Sequence, residues 1–427
     1  MHLVPRFVLS GLTAAALVAA LPAWAADDTD LGALDLKSAP VEPDSTPAKS
    51  TRIYVEGAVG SAEQRYTNGS QNLRRASVDL YHASKLAPGW RLVLSDRIDH
   101  VHPSDAGVPD TLNSLREAYV GWEGDGGNTT VDFGRINLRY GPGYGYNPTD
   151  FFRDGALRSI TSINPFALRE NRLGTVALRA QRLWQGGSVA LALSPKLADE
   201  PSTQAFNLDL GATNNRNRLL LTANQQVSER ISGQALLYKE PGRDAQPGAS
   251  VTALVSDAAV AHAEWSYAKG PSLAAQAWGT PAAQRSGHKL STGLTYTTAS
   301  KLSITGEYQF NGMALDQASW NSASQGNPAA LPAYLIEAQR VQELASRRAY
   351  LVYLSQRDLG LKGLELTGFV RVNANDHSRL LWAELRYHFD RIDVAAQWQQ
   401  HSGRAFSEFG LYPDKRIVQL VLAYHLK

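Results

Sequence analysis

From Thr51 to its end the sequence keeps a period of two, and this repeat restricts the fold more than any other feature. In Leu381-Trp382-Ala383-Glu384-Leu385-Arg386-Tyr387-His388-Phe389, one face reads Leu, Ala, Leu, Tyr, Phe and the other Trp, Glu, Arg, His. Ile392, Val394, Ala396 and Trp398 likewise oppose Asp393, Gln397 and Gln399, and Leu302, Ile304, Tyr308 and Phe310 oppose Ser303, Thr305, Glu307 and Gln309. Side chains of a strand alternate between faces, so each segment is a strand with one apolar and one strongly polar face. A soluble β-sandwich shows the same alternation. What separates the two is number and length: the dyads recur almost throughout, often near the roughly 9–11 residues that a tilted strand needs to cross a bilayer. In lipid every backbone group must be paired internally, and strands achieve this only in a closed barrel.

Strands are expected to start near Arg52, Leu73, Trp90, Leu112, Thr129, Gly174, Gly187, Arg216, Glu229, Asp257, Ser272, Lys289, Lys301, Arg347, Leu364, Ser378, Arg391 and Lys415. That predicts an all-β transmembrane antiparallel barrel of about 18 strands, an even number as single-chain bacterial barrels have. Sixteen stays open, because the pattern is weak over 240–267. Even-numbered connections read as short and odd ones as long (140–173, 195–215, 240–256, 312–346, 401–414). Such parity places both termini on one side, the periplasmic one. Residues 332–347 read as a short helix in an external loop, with Leu335, Ala338, Val341 and Ala345 on one stripe and a Glu343/Arg347 pair at i,i+4. It is either a packed lid or a surface helix.

The N-terminus fits export. Arg6, the apolar run 7–21 and the small residues of Ala23-Trp24-Ala25 form a signal peptide over 1–25. Residues 26–50, acidic and then rich in Pro, Ala and Ser, read as a disordered periplasmic segment, leaving 51–427 as the barrel. The chain has no cysteine, which rules out thiolate chemistry and Cys-ligated metals. A net charge of +2 gives no polyanion-binding tail, so no nucleic-acid partner is expected. Histidines do not cluster with carboxylates, so neither a metal nor another cofactor is expected. His401-Ser402 invites a comparison with rim-located lipid hydrolases, but neighbours on a strand face opposite ways. The chain is therefore read as a non-enzyme.

The densest feature runs from Leu115 to Gln181. The alternation changes phase between Val131-Asp132-Phe133 and Ile136-Asn137-Leu138-Arg139-Tyr140, so a β-bulge is expected at Gly134-Arg135. The following segment, Gly141-Pro142-Gly143-Tyr144-Gly145-Tyr146-Asn147-Pro148-Thr149-Asp150-Phe151-Phe152-Arg153, is too apolar for a purely external loop and is read as folding into the barrel. Its glycines lack the Lys-Ser/Thr ending of a phosphate loop. The constriction is assigned to Arg116, Glu117, Asp132, Arg135, Asn137, Arg139, Arg153, Asp154, Arg158, Arg169, Arg172 and Arg179. Arginines inside a pore create a positive potential and pair bidentately with carboxylate or phosphate. They serve equally well as a structural network that pins the loop.

The block from Leu115-Arg116-Glu117-Ala118-Tyr119-Val120 through Gly134-Arg135 to Asn147-Pro148-Thr149-Asp150-Phe151, together with the dyads, resembles the outer-membrane porins and alginate-export-like barrels. The resemblance implies a channel for small anionic solutes, or an exporter of an anionic exopolysaccharide working with periplasmic partners. A closed structural barrel is the third reading and a lipid hydrolase a remote one. It also implies partners: outer-membrane lipid, lipopolysaccharide and the barrel assembly machinery, with homo-oligomerisation left open. One departure is the ending Tyr424-His425-Leu426-Lys427, where many such barrels close on an aromatic residue.

Overall fold

In a computed structural model of the chain the described residues are 49–67, 69–104, 108–280 and 285–426, so the expected signal peptide and nearly all of the expected leading segment lie outside them. They form eighteen strands: β1 (Lys49–Gln64), β2 (Ser70–Ala87), β3 (Trp90–His102), β4 (Thr111–Gly124), β5 (Thr129–Ile136), β6 (Thr175–Trp184), β7 (Gly187–Ser194), β8 (Arg218–Ser228), β9 (Ile231–Lys239), β10 (Gln246–Ser256), β11 (Ala259–Gly270), β12 (Arg285–Thr297), β13 (Leu302–Asn311), β14 (Arg348–Gln356), β15 (Leu364–Asn373), β16 (Arg379–His388), β17 (Ile392–Ser402) and β18 (Asp414–His425). Each strand pairs antiparallel with the next, and β1 pairs with β18, so the sheet closes on itself without a free edge.

Connections alternate as expected. At one end they are brief, as at 88–89, 185–186, 229–230 and 257–258; at the other lie the long segments 137–174, 195–217, 312–347 and 403–413, and the described residues 271–280. Two details of the expected order fail, and their effects on the strand count cancel. The segment 240–256 is not a long loop, because β10 occupies most of it. Pro247 and Gly248 blur its pattern, yet pairing on both sides, to β9 and β11, holds it in the sheet. The strand expected near Ser272 is instead a helix, α3 (Leu273–Trp278), the third after α1 (Pro165–Glu170) and α2 (Leu210–Thr213), N-capped by the Ser272 hydroxyl, which accepts from the Ala275 N–H at 3.2 Å.

The bulge also lies elsewhere. Pairing of β5 with β4 and β6 runs unbroken through Gly134 and Arg135. The register shifts instead between β3 and β4, where Ser95 faces Glu117 and Asp96 faces Leu115, leaving Arg116 as the extra residue. Gly134 takes a φ of 136°, open to glycine, and a Cβ there would sit 2.3 Å from the Ala118 carbonyl oxygen.

The outer wall is apolar. Val59, Val78, Phe133, Leu191, Leu221, Leu294, Val352 and Leu420 stand exposed on it, as a lipid-facing belt requires. Aromatic residues mark both edges of this belt. Trp90, Trp122, Trp184, Tyr296, Phe389 and Tyr424 lie near the short-turn end, and Trp265, Tyr267, Tyr308 and Tyr350 toward the long-loop end. The lumen face carries the polar partners of the dyads, including Thr305, Glu307, Gln309, Trp382, Glu384 and Arg386.

Segment 312–347 holds two helices, α4 (Gln317–Gln325) and α5 (Ala330–Arg340). The expected stripe is real: Ala338, Val341 and Ala345 join Leu331, Tyr334 and Trp320 in a buried cluster, with Leu335 packed against it and Leu273 of α3 within it. The helix is thus packed against the mouth. It ends before Glu343, so the expected Glu343/Arg347 pair does not form; Arg347 faces Asp316 at 3.5 Å instead.

Candidate pore and constriction

The segment between β5 and β6 enters the barrel and is held there by three tethers. At the first, its backbone donates to carboxylates of the wall. Glu264 on β11 accepts from the Thr149 N–H at 2.8 Å, the Thr149 hydroxyl at 2.7 Å, the Gly143 N–H at 3.3 Å and the Asn147 amide at 3.2 Å. Glu307 on β13 accepts from the Gly145 N–H at 2.9 Å and the Tyr144 N–H, and lies 3.0 Å from His262 Nε2. The alternating glycines are what let the backbone approach: a Cβ on Gly141 would lie 2.2 Å from a Glu264 oxygen. The run is a nest of N–H groups whose anions belong to the protein's own wall.

The second tether is Glu343. It pairs with Arg153 and Lys289 at 2.5 Å each and accepts from the Tyr146 hydroxyl at 2.6 Å and the Asn311 amide at 3.3 Å. Burial alone would raise the Glu343 carboxyl, but Arg153 and Lys289 outweigh it and hold it down at about 2. The third is Arg172, which grips Asp150 bidentately at 2.8 and 3.0 Å and also reaches Asn137 Oδ1 at 2.9 Å and the Leu138 carbonyl. Between these tethers, Ile163 and Phe166 of the short helix α1 (Pro165–Glu170) and its approach pack against Tyr144, Tyr353, Phe369 and Trp382.

The inserted segment divides the lumen. On the long-loop side lies a vestibule of about 310 Å³, lined by Leu157, Ile160, Arg169, Arg371, Glu408 and Tyr412 among others. On the short-turn side lies a chamber of about 1220 Å³, lined by Glu56, Asp79, Arg97, Arg116, Arg139 and Arg386 among others. Four residues line both, namely Thr161, Ser162, Trp382 and Gln397, so the boundary between the two spaces, called the eyelet below, lies between the inserted segment and the β16–β17 wall. The eyelet carries no charged side chain.

The expected constriction residues therefore separate into groups. Arg116, Glu117, Asn137 and Arg139 face the chamber; Arg153, Arg169 and Arg172 face the vestibule. Asp132, Arg135, Asp154, Arg158 and Arg179 line neither. Asp132 is held by Arg91 at 2.8 Å and Arg179 at 3.6 Å. Arg135 donates to the Leu115 carbonyl at 3.1 Å. Arg158 binds Asp209 at 3.3 Å and the Asn113 carbonyl at 2.8 Å. Asp154 bridges Arg216 and Arg340 at 2.7 and 3.1 Å. Arg116 is itself engaged by Asp79, at 2.5 and 2.7 Å. Two lumen arginines make no side-chain hydrogen bond or short ion pair among the described residues: Arg139, exposed in the chamber, where its charge acts on Glu117, and Arg371, half-buried in the vestibule, where its charge acts on Glu408. Sequence reasoning missed Arg371, Glu264, Glu307, Glu343 and the eyelet's Trp382 and Gln397. All but Glu343, which lies in the segment between β13 and β14, face inward in the dyad pattern, but nothing local marks them among other inward residues. His401 and Ser402 do not form a pair: His401 Nδ1 sits 2.7 Å from the Asp414 carbonyl, and the Ser402 hydroxyl accepts from Gln400.

No protein-family model and no curated protein matches the chain. Solved structures do. OccAB1 of Acinetobacter baumannii superposes with a TM-score of 0.57 at 12% identity, over 89% of this chain and 97% of that one. OpdL of Pseudomonas aeruginosa gives 0.55 at 12%, over 89% and 99%, and OccK8 (OprE) of the same organism 0.52 at 10%, over 88% and 98%. These are outer-membrane porins, similar here in fold. With its closed wall, its apolar belt between two aromatic edges and its inserted segment, the chain is an 18-stranded antiparallel β-barrel with the outer-membrane porin fold.

Proposed function

We propose that the chain is an outer-membrane channel for small solutes, with its long loops outside and both termini periplasmic, and that it favours anions. The observation that carries the reading is the pair of lumen spaces bordering one another at the uncharged eyelet, with Arg371 on one side and Arg139 on the other, each free of side-chain hydrogen bonds among the described residues. Of the other arginines, Arg153, Arg169 and Arg172 hold the inserted segment, and Arg75, Arg97, Arg116 and Arg386 are paired with carboxylates of the wall. An anion entering the vestibule finds Arg371, passes Thr161, Ser162 and Gln397, whose hydroxyls and amide replace part of its water shell, and leaves toward Arg139. An eyelet bounded by these side chains suits a small solute rather than a polysaccharide chain. Planar-bilayer recording is the test. Single channels with a chloride over potassium preference are expected, and the preference should fall in Arg139→Glu plus Arg371→Glu. Unchanged selectivity would remove the anion part of the reading.

The apolar contacts of Ile163 and Phe166 with Phe369 and Trp382 support a second reading, a barrel that stays shut. Replacing 157–168 with a short Gly/Ser linker separates them. A barrel that conducts neither before nor after the replacement is a structural one. Orientation has its own test, because the native chain has no cysteine. Phe206→Cys, 63% exposed in a long loop, should react with a membrane-impermeant maleimide in intact cells.

A further inference from the structure

The inserted segment bounds a third space, a cavity of about 100 Å³ against the β9–β13 wall near the long-loop mouth. Arg216, Glu240, Arg243, Gln246, Lys289 and Glu343 are among its lining. It shares no lining residue with the chamber, and only Asp150, Arg153 and Glu343 with the vestibule. The cavity therefore lies off the route through the eyelet, and what it holds is a bound ligand rather than a solute in transit. A space of this size takes a few waters, or one small ion in their place.

Its acceptors are taken. Glu343 accepts from Arg153, Lys289, Tyr146 and Asn311. Glu240 accepts from Arg216 at 2.6 Å, Arg243 at 2.8 Å and the Tyr238 hydroxyl at 2.7 Å, and Asp154 bridges Arg216 and Arg340. Its donors are not. Arg243 is engaged only at Nε, so both terminal nitrogens of its guanidinium stay uncommitted among the described residues. Lys289 is held by Glu343 alone, which leaves ammonium hydrogens over. Gln246 lies opposite Tyr238 on β9 and is only 7% exposed, yet its side-chain amide makes no hydrogen bond among the described residues. Buried polar groups are normally satisfied, so a buried amide facing a cavity without a partner marks a place for one. Donors in excess and acceptors in deficit select a ligand that only accepts. Charge points the same way, because Glu343 and Glu240 each serve two cations.

We propose that this cavity binds a small inorganic oxyanion, phosphate or sulfate in class, between Arg243, Gln246 and Lys289. A tetrahedral oxyanion accepts in several directions at once, as donors on separate elements require, and its bonds to the two cations are charge-assisted. Bound there, the ion links β10 and the connection before it to Lys289, the cation on β12 that holds Glu343, and so reinforces the second tether of the inserted segment. The site does not depend on conduction: a barrel that never opens has it all the same.

The test is calorimetric titration of the purified full-length barrel in detergent with inorganic phosphate, chloride balancing the ionic strength. Saturable binding of a single phosphate per barrel is expected, displaced by sulfate and not by chloride. Arg243→Gln plus Gln246→Leu should weaken it by about tenfold or more. Gln246→Leu alone, which removes no charge and leaves every salt bridge in place, should weaken it by about threefold. The heat-resistant barrel band on gels checks that a variant has lost the ion and not its fold. Absence of saturable binding by the native barrel, or equal binding by the native barrel and the double variant, overturns the site. Binding that is lost in Arg371→Gln and kept in the double variant places the ion in the vestibule and overturns it as well. Tighter binding of glycerol phosphate than of phosphate overturns the free ion as ligand in favour of a phosphate ester. Each of these failures leaves the channel reading untouched, since that reading is decided by conductance and selectivity.

Discussion

Glu343 gathers partners from three parts of the chain: Arg153 and Tyr146 on the inserted segment, Lys289 on β12 and Asn311 on β13. Removing its charge would leave Arg153 and Lys289 buried with no counter-charge, a loss of roughly 3–5 kcal/mol in comparable buried pairs. Glu343→Gln is therefore expected to free the inserted segment before it unfolds the barrel, seen as faster proteolysis within 141–169 while the heat-resistant barrel band on gels persists. The pH dependence follows from the same group. Its carboxyl is held at about 2 in the folded state, below its ordinary value near 4.5. Its stabilisation is thus complete above about pH 4.5 and declines as the pH falls toward 2. Channel noise should rise over that window in the native protein and be high at every pH in Glu343→Gln. Little of this was legible in sequence. The Gly-x-Gly-x-Gly run could be excluded as a phosphate loop, but the carboxylates its backbone binds lie more than a hundred residues away on β11 and β13, and no local pattern pairs them.

Strands were readable where both faces were distinctive and unreadable where residues were small. β16 and β17, with Trp, Glu and Arg against Leu, Ala and Val, could be placed from sequence almost to the residue. β10, built from Pro, Gly, Ala, Ser and Thr, could not, because its place depends on pairing with β9 and β11. The Leu273, Ala275 and Ala277 of α3 imitated a dyad while Ser272 was capping a helix. Gly134 shows how an element depends on one backbone angle. At φ 136°, with a would-be Cβ 2.3 Å from the Ala118 carbonyl, Gly134→Ala must either strain the backbone by roughly 1–3 kcal/mol or part β5 from β4. A lower yield of folded barrel on refolding into detergent is the expected outcome, with Gly306→Ala, where a Cβ meets open space, as the unaffected control. The inserted element yields a second expectation. Ile163 and Phe166 press on Tyr353, Phe369 and Trp382. Ile163→Ala plus Phe166→Ala should widen the eyelet and raise single-channel conductance; unchanged conductance would mean that the current does not pass there.

At the scale of the whole barrel, abundance of arginine does not translate into a positive lumen. The vestibule is lined by as many carboxylates as arginines, with Asp150, Glu343, Glu408 and Asp414 set against Arg153, Arg169, Arg172 and Arg371. The chamber is balanced too: seven carboxylates line it against seven arginines and lysines, and Glu56, Asp79 and Glu384 are spent on Arg75, Arg97, Arg116 and Arg386. Paired charges cancel beyond a few ångströms, so what a passing ion feels is dominated by the uncommitted groups. A sequence cannot show this, because it counts arginines without showing which carboxylates hold them. Two consequences follow for the intact channel. Selectivity should be modest, and it should shrink as salt rises, because the screening length falls from about 10 Å at 0.1 M to about 3 Å at 1 M. Reversal potentials across a salt gradient should therefore report a clear chloride preference near 0.1 M and almost none near 1 M. Arg116→Gln, which removes a cation already bound by Asp79, should shift the ratio toward cations by leaving Asp79 with only the longer 3.5 Å pair to Arg97 in the chamber. Asp79→Asn should shift it the other way. If instead both variants leave the low-salt ratio untouched, ions do not sample the chamber wall, and the selectivity of the barrel is set at the vestibule by Arg371 alone.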